Sequence, residues 1–126
     1  MRILLLNPPF LAKFSRPQRS PAVTKSGTLY FPMWLAYAAG VLGENGFEVD
    51  LIDAPADNYS IDDVIGRTKK FQPFLIVLDT STPSIYNDVA VAGKLKEICP
   101  SSFITLVGTS VSAIPEETLN MRKSDR

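Results

Sequence analysis

Residues Arg2-Ile3-Leu4-Leu5-Leu6 form an apolar run with almost no polar alternation, and the run stops at Asn7-Pro8-Pro9. A strand of that kind is buried on both faces, which requires a parallel sheet covered by helices. In such sheets ligands bind outside the carboxyl ends of the strands, where the strand order reverses. Two prolines cannot extend the sheet, and Pro9 pushes Pro8 towards extended geometry, so the chain leaves this strand stiffly. A Pro-, Ser- and Lys-bearing loop follows, from Asn7 to Thr28. Structureless loops of that length in a small domain are functional or disordered. Function is expected there.

The remaining chain alternates strand, loop and helix. Pro32 suits a first helical residue, and Met33 to Asn45 reads as a helix closed by Gly46. Its residues Trp34, Leu35, Tyr37, Ala38, Val41 and Leu42 are apolar on nearly all sides, which predicts cover on both sides. Trp34 and Tyr37 are therefore expected in the core rather than as a stacking platform, and Gly40 and Gly43 are expected to permit close approach to the sheet. Glu48 to Asp53 reads as the second strand, followed by a turn from Ala54 to Asn58. Ser60 with Asp63 forms a capping-box pattern, and Ile61, Val64, Ile65 and Thr68 then share one helical face ending at Lys69-Lys70. Phe74 to Leu78 is the third strand. Asp88 is placed to cap the third helix, whose buried stripe is Val91, Ala92, Leu95 and Ile98. Phe103 to Val107 is the fourth strand, and Pro115-Glu116-Glu117 opens a last helix. No fifth strand follows, and Asn120 to Arg126 is a polar tail.

Composition removes several function classes. The 126 residues suit one domain. Thirteen basic and thirteen acidic side chains balance to zero, which leaves no electrostatic warrant for nucleic acid or an anionic membrane. Histidine is absent, so there is no imidazole base or ligand, and the single cysteine, Cys99, can nucleate neither a zinc nor an iron–sulfur site. One cysteine also excludes an internal disulfide and fits a reducing compartment. The first apolar run breaks too early for a secretory signal, which points to the cytoplasm. The uncharged stretch from Thr28 to Gly43 is 16 residues, short of the ~20 that span a bilayer.

Three polar loops are expected on one rim: Asn7-Pro8-Pro9, Thr80-Ser81-Thr82-Pro83-Ser84 and Gly108-Thr109-Ser110-Val111-Ser112. Hydroxyls and free backbone amides near helix starts suit phosphate or amide groups of a ligand, and Gly108 allows close backbone approach. Any one loop alone is explained by ordinary turn and cap chemistry; three together, with the long first loop, favour binding. Asp79 ends the third strand as a receiver-domain aspartate does, but no acidic pair follows the first strand and the fifth-strand lysine is missing, so a turn-forming or capping role is expected. Asp53 and Asp62 belong to a strand end and a helix start, which suits solvated structural roles.

Taken in order, these segments resemble the N-terminal cobalamin-binding domain of cobalamin-dependent radical S-adenosylmethionine enzymes. The matching stretches are Leu4-Leu5-Leu6-Asn7-Pro8-Pro9, Tyr30-Phe31-Pro32-Met33-Trp34-Leu35-Ala36-Tyr37-Ala38-Ala39, Glu44-Asn45-Gly46-Phe47-Glu48-Val49 leading to Ile52-Asp53-Ala54, Asp79 to Ser84, and Val107 to Leu119. The resemblance implies an α/β fold: a doubly wound, flavodoxin-like (Rossmann-like) parallel sheet with helices on both faces, four strands present and the fifth missing. The domain would span 1–119, with 120–126 as tail, and the chain would be a truncated form lacking the catalytic barrel.

The resemblance further implies that Asn7, Pro8 and Pro9 lie near the corrin face. Thr80, Ser81, Thr82 and Ser84 would contact the nucleotide tail, and Gly108, Thr109, Ser110, Val111 and Ser112 would shape its pocket. The family often carries a histidine at the position of Ser110. Cobalamin-dependent mutases and methionine synthase supply an axial imidazole from a D-x-H-x-x-G motif; a chain without histidine would hold the corrin base-off, with no protein imidazole on cobalt. No catalytic or metal-ligating residue and no iron–sulfur cluster is assigned. The expected function is a cobalamin-binding module of a radical S-adenosylmethionine methyltransferase-type protein, not catalytic alone, whose partners are cobalamin and a radical S-adenosylmethionine domain or chain, or a second copy of itself. The alternatives are a degenerate domain acting through protein contacts or dimerisation, and a flavin- or nucleotide-binding flavodoxin-like domain, weakened by the lack of a phosphate loop after the first strand.

Overall fold

The apolar first strand lies inside the sheet, as its composition requires. In a computed structural model describing residues 1–17 and 21–121, β1 (Arg2–Asn7) is flanked by β4 (Glu48–Asp53) on one side and β5 (Leu75–Asp79) on the other, and β6 (Phe103–Val107) closes the row. All three pairings are parallel, with Leu5 level with Leu51 and Val77, and Val77 level with Thr105. From β1 the chain steps outward to β4 and then back across β1 to β5, so the order reverses between β1 and β5. The fold is the flavodoxin-like one.

Alternation along β1 divides the core in two. Leu4 and Leu6 point into a cluster with Ile52, Val64, Ile76, Leu78, Val91 and Leu95, under α3 (Ile61–Phe71) and α4 (Ile85–Ile98). Ile3 and Leu5 point the other way, against Leu35 of α1 (Met33–Glu44). Helix α3 begins with the expected capping box: the Asp63 amide donates to the Ser60 hydroxyl, and the Ser60 amide donates to the Asp63 carboxylate. Gly46, just past α1, takes φ +85°, a conformation that favours glycine.

Several elements differ from the sequence reading. Helix α1 is covered on one side only: Leu35 is buried, whereas Trp34 and Tyr37 are 83% and 64% exposed. They are not core residues. Gly40 and Gly43 are exposed with nothing within 4 Å of an added Cβ, so they face away from the sheet. The turn after β4 is a single-turn helix, α2 (Ala54–Asp57), closed by Asn58 at φ 53°. Helix α4 starts three residues before Asp88, which sits buried in its first turn. The Gly108–Ser112 loop is mostly helix, α5 (Thr109–Ala113), which runs on to α6 (Pro115–Leu119). The long first loop contains a small antiparallel hairpin, β2 (Phe14–Ser15) with β3 (Ala22–Val23). Of the polar tail, residues 122–126 lie outside the described residues.

Candidate functional site

Because the sheet is parallel, β1, β5 and β6 end on one edge, and the three polar loops meet there. Asn7 ends β1 level with Asp53, and Asp79 ends β5 level with Val107. At the centre of this edge sits a residue the sequence did not single out, Arg16, 3% exposed. Its Nη1 donates to Asn7 Oδ1 at 2.6 Å and to the Pro8 carbonyl at 2.8 Å. Its Nη2 donates to Asp88 Oδ1 at 2.8 Å and its Nε to Ser84 Oγ at 3.3 Å.

Asp88 completes the network from the first turn of α4. Its Oδ2 accepts from Ser84 Oγ at 2.6 Å and from the Ser81 amide at 3.3 Å. Asn87 Nδ2 donates to Pro9 O at 2.9 Å, so α4 also holds the second proline. Asn7 Nδ2 donates to Asp53 Oδ1 at 2.9 Å, and the Ser81 and Ser84 hydroxyls bond one another. Among the described residues no buried side-chain polar atom lacks a partner.

Burial governs the electrostatics. It lowers the Arg16 pKa, against the pull of Asp88, and raises that of Asp88, against Arg16 and hydrogen bonds from Ser84, Asn87 and Ser81. A guanidinium starts so high that it stays charged. Burial also raises Asp53, opposed by its bond from Asn7, and pushes Asp79 up to about 6, opposed by Arg16 and by the Thr80 amide. Asp79 Oδ1 accepts from that amide at 3.1 Å, an amide that also donates to Val107 O.

The second and third loops are pinned together. The Thr80 amide and hydroxyl both donate to Val107 O, at 2.8 and 2.7 Å. Gly108 follows at φ +135°, and a Cβ there would lie 2.6 Å from Thr80 Oγ1 and 2.7 Å from Thr80 O. Only glycine lets the two backbones touch.

The residues expected to bind thus form two tiers. Asn7, Pro8, Thr80, Ser81 and Ser84 are buried, and the side-chain polar groups among them are taken by Arg16, Asp53, Asp88, Val107 and one another. Thr82, Thr109 and Ser112 are exposed, Pro9, Gly108 and Ser110 are half-buried, and Val111 is buried. Open space lies beside this rim: a groove of about 560 Å³ runs between Pro9–Lys13 and Ala54–Ser60, next to one of about 270 Å³ that shares Pro9, Phe10, Tyr59 and Ser60. A larger hollow of about 940 Å³, beside Arg2, Phe74 and Cys99, is at the amino-terminal edge, away from the strand ends where such sheets bind ligands.

The model of the B12-binding domain matches residues 19–125. The chain belongs to the B12-binding domain family. An uncharacterized methyltransferase of Pyrococcus horikoshii is 30% identical over 119 residues, which is 94% of this chain and 24% of that protein. The chain therefore spans about a quarter of the length of the curated relative it matches. No solved structure matches it.

The donor set of this B12-binding domain suits the periphery of a corrin rather than its metal. Exposed hydroxyls of Thr82 and Thr109, the Ser112 hydroxyl, whose proton goes to Gly108 O at 2.8 Å, and a tight backbone approach at Gly108 are neutral hydrogen-bonding features, matched to side-chain amides and a nucleotide tail. The chain has no histidine, and no group of three His, Cys, Asp or Glu among the described residues is placed to hold a metal ion. No helix among them is long and apolar enough to cross a membrane.

Proposed function

We propose that this domain binds cobalamin over the carboxyl edge of its sheet, base-off and without a protein imidazole on cobalt, as a module of a radical S-adenosylmethionine methyltransferase-type protein. The observation that carries the reading is the family match across residues 19–125, on a sheet whose polar loops meet at one edge. The methyltransferase relative and the absence of histidine support its finer points.

In this reading Pro9 and the groove beside it adjoin the corrin, while Thr82, Gly108, Thr109, Ser110 and Ser112 meet the tail. Asn7, Pro8, Thr80, Ser81, Ser84 and Val111 act from beneath, holding those surfaces in place. The bound corrin would supply methyl-transfer chemistry; the chain's own residues would bind and orient it. A catalytic partner domain or chain would do the rest.

Hydroxocobalamin added to the purified protein should co-elute with it on gel filtration as a red, one-to-one complex. Its visible spectrum should be that of a corrin without nitrogen coordination from its own base. A colourless protein peak overturns the reading.

A second reading, contact with another protein surface, is favoured by the uncovered side of α1. There Phe31, Met33, Trp34, Tyr37 and Val41 are all more than half exposed. It concerns a different face and is compatible with the first.

A further inference from the structure

We infer that Arg16 is the positioning residue of the binding rim: its guanidinium locks the loop after β1 to the hydroxyl turn after β5, so that both sides of the strand-order reversal move as one body. The inference rests on the cobalamin reading for its purpose but on side-chain geometry for its existence.

The two segments come from different parts of the chain, and the ladder between β1 and β5 ends before them, at Leu6 and Leu78. Asn7 and Pro8 close β1, and Ser81 to Ser84 join β5 to α4. Asn87 adds one bond from α4 to Pro9 O, but Asn7 and Pro8 are bridged to the turn by one side chain with donors in three directions: to Asn7 and Pro8 at 2.6 and 2.8 Å, to Ser84 at 3.3 Å, and to Asp88 at 2.8 Å. Asp88 then passes the constraint to the Ser81 amide and the Ser84 hydroxyl at 3.3 and 2.6 Å. Both charges are almost wholly removed from water, with side-chain exposures of 1% and 0%. A buried pair of this kind is rarely the most stabilising choice, since apolar residues of similar volume often do as well. What a forked, fully bonded pair provides is one fixed arrangement of the groups it touches.

A corrin is a broad, rigid ligand that touches several loops at once. Its affinity depends on those loops being held in register before it arrives. Arg16 supplies that register without contacting the ligand. It is not replaceable by charge alone, because a lysine has one nitrogen and cannot reach Asn7, Ser84 and Asp88 together.

The test uses the full chain with two variants, R16K and the charge-neutral R16Q/D88N, read by amide hydrogen exchange and by hydroxocobalamin titration. In both variants exchange at the amides of residues 10–16 and of Ser81, Thr82 and Ser84 should accelerate at least tenfold while Leu4 to Leu6 stay as slow as in the wild type. The dissociation constant for hydroxocobalamin should rise at least tenfold. Exchange at the two loops that stays at the wild-type rate in R16Q/D88N overturns the lock, and full retention of affinity in R16K overturns the need for the fork. Wild-type binding with unchanged variant affinity defeats the positioning role alone. Failure of the wild type to take up corrin defeats the cobalamin reading and the positioning role with it, whatever the exchange rates show.

Discussion

Asp79 is a carboxylate held where it would rather be neutral. Burial raises its pKa from 3.8 to about 6, and the nearby Arg16 only partly offsets this. The folded protein therefore binds more protons than the unfolded chain between about pH 4 and 6, and this side chain's contribution to stability falls as the pH rises through that window. Replacing it with asparagine keeps an acceptor for the Thr80 amide and removes the penalty. D79N should be more stable than the wild type at pH 8 by about 1–3 kcal/mol and equal to it near pH 3.5, as read from urea midpoints across pH. A difference independent of pH would contradict the assignment. Residues of this edge were unevenly legible in the sequence. Asn7-Pro8 and the hydroxyls near Asp79 stand at strand ends that an apolar run announces. Arg16 does not, because burying it depends on Asp88, 72 positions away, and no local pattern reports such a partner. The inward fate of Asn7 and Ser84 was hidden with it, since both side chains bond the guanidinium, while Ser81 turns to Ser84 and Asp88.

Helix α1 shows where pattern reading succeeds and where it fails. Its bounds followed from Pro32 and Gly46, but an apolar helix with no partner on one side has the same composition as one with two. Neighbouring residues therefore carry opposite energetic weight. Leu35 is 5% exposed against Ile3 and Leu5, so L35A should cost about 2–4 kcal/mol through lost transfer energy and a cavity. Trp34, at 83% exposure, removes little from water, so W34K should shift stability by no more than about 0.5 kcal/mol while sharply reducing binding of a hydrophobic dye. Chemical denaturation of the two variants checks this, and a large loss in W34K would mean that the ring is packed within the chain. Helix α3 was fully legible because its signals are local: Ser60 and Asp63 cap each other, and Val64 and Thr68 fall on the buried face. Helix α5 was missed because Thr109 to Ala113 is short, carries β-branched and hydroxyl residues, and follows a glycine at positive φ, which reads as a turn.

At the scale of the molecule the sheet is unequally protected. One face lies under α3 and α4 and holds the larger cluster, including Leu4, Leu6, Ile76 and Leu78 at 0% exposure. Among the described residues the other face is packed by α1 over β1 and β4, and its far side ends in β6, where Phe103 is 62% exposed and Thr105 is exposed. The parallel pairing was readable from the apolar first strand, and the flavodoxin-like order came with the family resemblance; the exposure of β6 was not readable, since Phe103 to Val107 alternates no differently from a covered strand. Local opening follows the density of buried contacts, so elements with few of them exchange their amides through smaller openings than the global one. Backbone amides of β1 and β5 should exchange only through global unfolding, with free energies that follow the urea-derived stability. Those of β6 and α5 should exchange through local events lower by at least about 1–2 kcal/mol and insensitive to mild denaturant. This gradient also bears on how the rim is held. β6 anchors Gly108 and, through Val107 O, both donors of Thr80, so its opening would loosen the third loop while Arg16 still locks the first two. Native-state exchange in which β6 is as slow as β1 would show that the uncovered face opens no more readily than the covered one, and the division of the rim into a locked half and a looser half would have no basis.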